Sequence, residues 1–93
     1  MSWRVEQTRR FGRQYKRLQD NVAADVDTAV AMVAVDPTRA GEMKKGDLAA
    51  LYVHKFRGQG QLYLLGYTLD ASVRLVYLEP IGPHENFYRD LKR

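Results

Sequence analysis

Val73-Arg74-Leu75-Val76-Tyr77-Leu78-Glu79-Pro80-Ile81-Gly82-Pro83-His84-Glu85-Asn86-Phe87-Tyr88 is the stretch from which the fold is read. Its opening run, Val73–Leu78, is rich in β-branched and aromatic residues and predicts a buried strand. Pro80, Gly82 and Pro83 predict that the strand stops and the chain turns. Residues Glu85–Leu91 read as a short closing helix, pinned to the body by Phe87 and Leu91, four apart, with Tyr88 beside them. His84 stands between strand and helix, held by a rigid element yet able to face solvent. Imidazole is the one side chain whose ordinary pKa lies close to neutrality, so this placement suits proton transfer.

Two more runs upstream read as strands. In Leu51–Arg57, Tyr52, His54 and Phe56 share one face, while Val53, Lys55 and Arg57 share the other. Gly58-Gln59-Gly60 turns the chain into Gln61–Leu69, which is nearly continuous in Leu and Tyr. A run of that kind predicts a central strand covered on both faces. Asp70-Ala71-Ser72 then makes a hairpin turn into the strand quoted first. Thr38–Asp47 has no secondary-structure period and reads as a loop, with Gly41, Gly46 and the pair Lys44-Lys45.

At the N-terminal end, Trp3, Val5 and Gln7 alternate with Ser2, Arg4 and Glu6, predicting a strand over Ser2–Gln7 with Trp3 as a core anchor. Thr8 is placed to cap a helix in which Phe11, Tyr15 and Leu18 form one apolar stripe. Arg9, Arg10, Arg13, Lys16 and Arg17 crowd its other faces, as a solvated surface or as one that attracts phosphates or an acidic partner chain. Asp20 or Asn21 caps a second helix, Val22–Val35, whose buried stripe is Val22, Val26, Ala29, Val30 and Val33. Pro37 ends it.

The expected order is β-α-α-β-β-β-α in a single α+β domain, residues 1–93. Two helices pack on one face of a small antiparallel sheet, with a short C-terminal helix. The other face carries Lys55, Arg57 and Arg74, and the tail with His84 folds over its edge. A basic concave sheet with a histidine at its rim fits an RNA or phosphate site.

Composition bounds the rest. A chain of 93 residues is one domain with one modest core. It has no cysteine, which removes disulfides and thiolate metal sites. Fifteen Lys and Arg against eleven Asp and Glu give a net charge of +4, which favours an anionic partner. No apolar run approaches the ~20 residues that span a bilayer. The expectation is a cytoplasmic protein with no membrane contact, no metal and no cofactor.

In element order, over essentially its whole length, the chain resembles the RelE/ParE superfamily of small bacterial toxins from type II toxin–antitoxin systems. The local likeness is greatest at Tyr52-Val53-His54-Lys55-Phe56-Arg57-Gly58-Gln59-Gly60 and at Ile81-Gly82-Pro83-His84-Glu85-Asn86-Phe87-Tyr88. The Gly-x-His tail resembles the ribonuclease branch with YafQ-like, HigB-like and RelE-like members. That resemblance implies an mRNA endonuclease, acting at the ribosome to inhibit translation and held off by a cognate antitoxin. It implies His84 as general acid or base, Lys55 as the lysine that holds and activates RNA, and Arg57 as a second cation. Tyr88 falls near the branch's tail tyrosine, at a shorter spacing. The chain departs from the pattern at Leu62, where RelE-like members carry a catalytic arginine. Arg57 or Arg74 has to take its place.

Metal-free RNA cleavage needs a base for the ribose 2′-hydroxyl, cations for the phosphorane and an acid for the leaving 5′-oxygen. His84 is the chosen acid, and Glu85 or His54 the base. Lys55, Arg57, Arg74, Lys44, Lys45 and His54 make up the expected RNA-binding set. Two other functions stay open: a ParE-like inhibitor of DNA gyrase without catalytic activity, and a non-catalytic binding module of the same fold.

Overall fold

Among the described residues eight elements follow one another: β1 (Arg4–Gln7), α1 (Arg9–Lys16), α2 (Asp20–Val35), α3 (Pro37–Ala40), β2 (Glu42–Met43), β3 (Tyr52–Gly58), β4 (Gln61–Asp70) and β5 (Leu75–Pro83). The computed structural model describes residues 2–44, 51–84 and 87. His84 and Phe87 are in helical conformation, and the rest of the expected closing helix, Glu85–Leu91, lies outside the described residues. The strands form one sheet in the order β1-β5-β4-β3-β2. From β2 to β5 the neighbours are antiparallel, but β1 lies parallel to β5, with Arg4 level with Leu75 and Gln7 level with Leu78. The fold is α+β, as expected, and its sheet is mixed rather than wholly antiparallel. The helices carry the chain from β1 across the sheet to its far edge. The hairpins then wind it back, and the last strand arrives running the same way as the first.

Thr8 makes the first turning point. Its hydroxyl accepts from the Phe11 N–H at 3.2 Å and donates to the Leu78 carbonyl at 2.9 Å. Its own N–H reaches the same carbonyl at 3.0 Å. One residue thus ends β1, caps α1 and ties both to β5. The cap matters because Arg9 and Arg10 open the helix against its dipole. Gln14, one turn on, accepts the Ile81 N–H at 2.8 Å and covers β5 where β1 no longer reaches. The second helix begins earlier than expected, with Gln19 at its cap position and Asn21 accepting the Val22 N–H at 2.9 Å instead of capping. Pro37 does more than end α2. It opens α3, a first-turn position where its missing N–H costs nothing.

The expected stop at Pro80, Gly82 and Pro83 is corrected. All three lie within β5. The β4–β5 register shifts there: Leu65 pairs with Ile81 but Tyr67 pairs with Leu78, so Glu79 and Pro80 together oppose Gly66. At such a bulge the extra residue has no ladder bond to lose, and a proline is tolerated. β3 and β4 meet in a two-residue turn whose Gln59 and Gly60 have φ of 54° and 80°. Two positive φ values match the right-handed twist of the strands, and Gly60 supplies one without strain.

Side-chain alternation builds two apolar clusters. On the helix side Phe11, Val22, Val26, Ala29 and Val33 meet Tyr63, Leu65, Tyr67, Val76, Leu78 and Ile81. On the opposite side Leu51, Val53, Leu64 and Phe87 form a smaller one. β4 is therefore covered on both faces, as its near-continuous apolar run requires. Among the described residues no helix is long and apolar enough to cross a membrane.

Tyr67 is fully buried, stacks on Tyr52 at 5.5 Å and donates to the Pro37 carbonyl at 2.6 Å. Burial, with the neighbouring Tyr52 and Asp36, raises its pKa far above the ordinary 10.0. The folded state therefore holds this proton more tightly than the unfolded chain does. The stabilisation is complete below the unfolded value and is lost as pH rises through the folded one. Wild-type unfolding free energy should fall above pH ~10 with a slope approaching 1.4 kcal/mol per unit. Tyr67→Phe should cost about 1 kcal/mol at neutral pH and remove most of that added slope, read by urea denaturation at each pH.

Candidate functional site

The face of the sheet turned away from α1 and α2 carries the candidate residues. Val53, Lys55 and Arg57 alternate onto it from β3. Lys55 pairs with Leu64, which pairs with Gly82. One step along, Arg57 pairs with Leu62, and Tyr63 pairs with Pro83, the residue before His84. The register ends with Pro83 opposite Tyr63, so the chain enters His84 beside the Arg57–Leu62 end of the sheet, with Pro83 two strand spacings or about 10 Å from β3. Lys55, Arg57 and His84 are all exposed. The Arg57 guanidinium donates to the Gly60 carbonyl at 3.3 Å and leans over the hairpin turn.

Phe87 anchors the tail onto this face. It is 3% exposed in the small cluster with Leu51, Val53 and Leu64. Gly66 lies directly beneath it: a β-carbon there would come 3.1 Å from the Phe87 ring, 3.3 Å from Pro80 and 3.4 Å from Leu51. The glycine facing the bulge therefore opens the seat that Phe87 fills. His84 follows directly on Pro83 at the end of β5 and is exposed.

The structure brings Lys55, Arg57 and His84 to one end of one face, and separates them from other expected members. Arg74 is in the β4–β5 turn with φ of 52°, its guanidinium 5.3 Å from the centre of the Trp3 ring. That turn is six β4 residues from the Lys55–Leu64–Gly82 row, about 20 Å. Arg74 is thus corrected from a member of the basic face to a cation stacked at the sheet's far end. Of the two residues expected to stand in for an arginine at Leu62, only Arg57 adjoins it. Lys44 donates its N–H to the Leu51 carbonyl at 2.8 Å, and its amine is 3.7 Å from Glu42, away from His84. His54 lies on the helix side of β3, 7% exposed, with Nδ1 2.6 Å from the Ala40 carbonyl. Lys45, Glu85 and Tyr88 lie outside the described residues.

Two residues on these surfaces escaped the sequence reading. Glu79, in the bulge, accepts the Thr68 hydroxyl at 3.1 Å and brings a carboxylate to the same face as Lys55. Only a correct reading of the bulge reveals it. Arg39 reaches a cleft beside His54 because Pro37 starts α3. Chemically, two cations on alternate residues of an exposed strand suit an anionic chain, and an imidazole at the end of the row can exchange a proton with it. Among the described residues no group of three or more His, Asp or Glu could hold a metal ion.

Residues 5–92 match the family model described as ParE-like toxin of type II bacterial toxin–antitoxin system. No curated protein matches the sequence. Among solved structures, the toxin–antitoxin complex RelBE2 from Mycobacterium tuberculosis is similar at 24% identity, covering 90% of this chain and 100% of that one, with a TM-score of 0.77. A mutant of the E. coli toxin RelE in the free state is similar at 18% identity, 88% and 83% coverage and a TM-score of 0.72. The intact E. coli RelBE complex is similar at 18% identity, 87% and 95% coverage and a TM-score of 0.72. At these identities the structural likeness speaks for the fold.

The Phe87 seat is testable. Gly66→Ala adds a methyl group where three side chains already touch and should lower stability by about 1–3 kcal/mol. The urea midpoint should fall with little change in the slope of the transition.

Proposed function

The chain belongs to the ParE-like toxins of type II bacterial toxin–antitoxin systems, and we propose that it acts as a metal-independent mRNA endonuclease that inhibits translation in the cytoplasm. The observation that carries this reading is that β5 ends at Pro83, opposite Tyr63, so that exposed His84 leaves the sheet beside the Arg57–Leu62 pair, with exposed Lys55 one step along the same strand. An inhibitor that works by binding alone has no need of a titratable group there.

In this reading Lys55 holds the phosphodiester and Arg57 stabilises the charge that grows on the phosphorane, taking the place that Leu62 leaves empty of a cation. His84 protonates the leaving 5′-oxygen. Glu85 serves as the base for the 2′-hydroxyl. The ribosome presents the mRNA as an extended strand to the open face. A cognate antitoxin restrains the toxin. The solved complexes of similar fold, RelBE2 and RelBE, each pair a toxin with an antitoxin and support that partner. The antitoxin segment is acidic and lies along α1, where Arg9, Arg13 and Lys16 line a shallow cleft.

Induction of the wild type and of His84→Ala in bacteria tests the proposal, with mRNA integrity and DNA supercoiling followed together. The wild type should cut transcripts, and His84→Ala should cut them ~10²–10⁴-fold more slowly at unchanged stability. Lys55→Gln should lose about 10²-fold or more. Intact transcripts with a DNA-damage response would establish the gyrase inhibitor instead, and no effect on growth would leave a binding module. The antitoxin reading fails if no small acidic protein copurifies with the chain when it is expressed from its own operon.

A further inference from the structure

β2 covers only Tyr52 and Val53 of β3, so beyond Val53 the edge of β3 has no strand beside it among the described residues. A cleft of about 340 Å³ opens at that point, lined by Arg39, Ala40, Gly41, Glu42, His54 and Lys55. It lies at the sheet edge, where side chains from both faces converge: His54 from the helix side and Lys55 from the other.

His54 is held in this cleft in a defined way. Its Nδ1 is 2.6 Å from the Ala40 carbonyl, and a carbonyl only accepts, so Nδ1 carries the hydrogen. In the uncharged ring Nε2 is then an acceptor. Among the described residues no buried side-chain nitrogen or oxygen lacks a partner, so Nε2, which makes no hydrogen bond within the protein, keeps contact with solvent, and His54 lines the cleft. The ring is fixed by its stack on Phe56 at 6.2 Å. Two cations share the lining of the cleft. The Arg39 side chain is 88% exposed and only loosely engaged with Asp36 at 3.7 Å, and Lys55 is exposed. The one carboxylate of the lining, Glu42, is 3.7 Å from Lys44.

A fixed acceptor in a cleft lined by two cations matches a group that pairs one donating hydroxyl with one anion. We infer that the free edge of β3 is a second nucleotide site, one that recognises a ribose 2′-hydroxyl together with its adjoining phosphate. Nε2 of His54 accepts from the hydroxyl, and Arg39 holds the phosphate, with Lys55 at the rim between this cleft and the exposed face. The site rests on the reading of the protein as an RNA-acting toxin, and it lies across the sheet from His84. It gives the protein a means of distinguishing RNA from DNA that does not depend on cleavage.

The test uses the His84→Ala protein, so that no strand is cut, and compares a short oligouridylate with the matching oligodeoxyuridylate by fluorescence anisotropy. The ribose form should bind about five- to tenfold more tightly, the worth of one hydrogen bond. Adding His54→Asn keeps a donor for the Ala40 carbonyl and removes Nε2; it should abolish the preference while leaving the deoxyribose affinity unchanged. Arg39→Gln, an exposed change with no bearing on folding, should weaken both ligands equally and lower the slope of log affinity against log salt by about 0.7. Equal affinity for the two sugars, a preference that survives His54→Asn, or a salt slope unmoved by Arg39→Gln each overturns the site. Cleavage by the wild type is measured separately, so loss of this site and loss of the nuclease reading are told apart.

Discussion

The sheet has to keep a proline-containing strand paired through its middle, and the bulge opposite Gly66 is how it does so. Glu79 and Pro80 together face one residue of β4, and that residue has no side chain. Three consequences follow from this one accommodation. The strand runs on to Pro83, which brings His84 beside the Arg57–Leu62 end of the sheet. The missing side chain leaves the pit in which Phe87 settles. The extra residue turns the Glu79 carboxylate toward Thr68 on the exposed side. A normal ladder at this point would offer neither the reach nor the pit.

The two faces of the sheet divide the labour. The helix side holds nearly all the large buried side chains and is locked by short polar contacts, Thr8 to Leu78, Gln14 to Ile81 and Tyr67 to Pro37. The opposite side has a small apolar patch and exposed charges. An open, rigidly backed surface of this kind is where function is expected, because the packing that defines the fold is finished on the other side. Lys55 and Arg57 also run along the part of β3 that β2 leaves uncovered. Charged residues there discourage another strand from pairing with it.

Much of this was legible from side-chain pattern. The α2 stripe of Val22, Val26, Ala29 and Val33, the Thr8 cap, and the doubly covered β4 follow from periodicity and local chemistry, which a sequence displays directly. So does the division of β3 into a Tyr52–His54–Phe56 face and a Val53–Lys55–Arg57 face. What failed has one cause: local rules that treat a residue without its neighbours. Pro80 reads as a strand stop because the bulge that admits it belongs to the pairing with Gly66, fourteen residues away and on another strand, and Pro83 stands at the last position of β5, opposite Tyr63. Pro37 read as a terminator because the turn it begins is too short to show a period. Arg74 was assigned to the basic face by alternation, but its left-handed backbone places it in the turn, over Trp3. The parallel docking of β1 on β5 is invisible to any window of sequence.

That docking spans nearly the whole chain. Arg4 and Leu75 stand level on paired strands, with the Arg4 N–H donating to the Arg74 carbonyl at 3.0 Å, yet seventy-one residues of chain separate them. Until the last strand leaves the translating ribosome, the first has no sheet to join, and α1 lacks the Leu78 carbonyl that anchors its Thr8 cap. Closing so long a segment is entropically slow and comes late. A nascent copy therefore cannot close its sheet until β5 has been made, and β1, the first strand to be synthesised, waits for the last to complete its pairing.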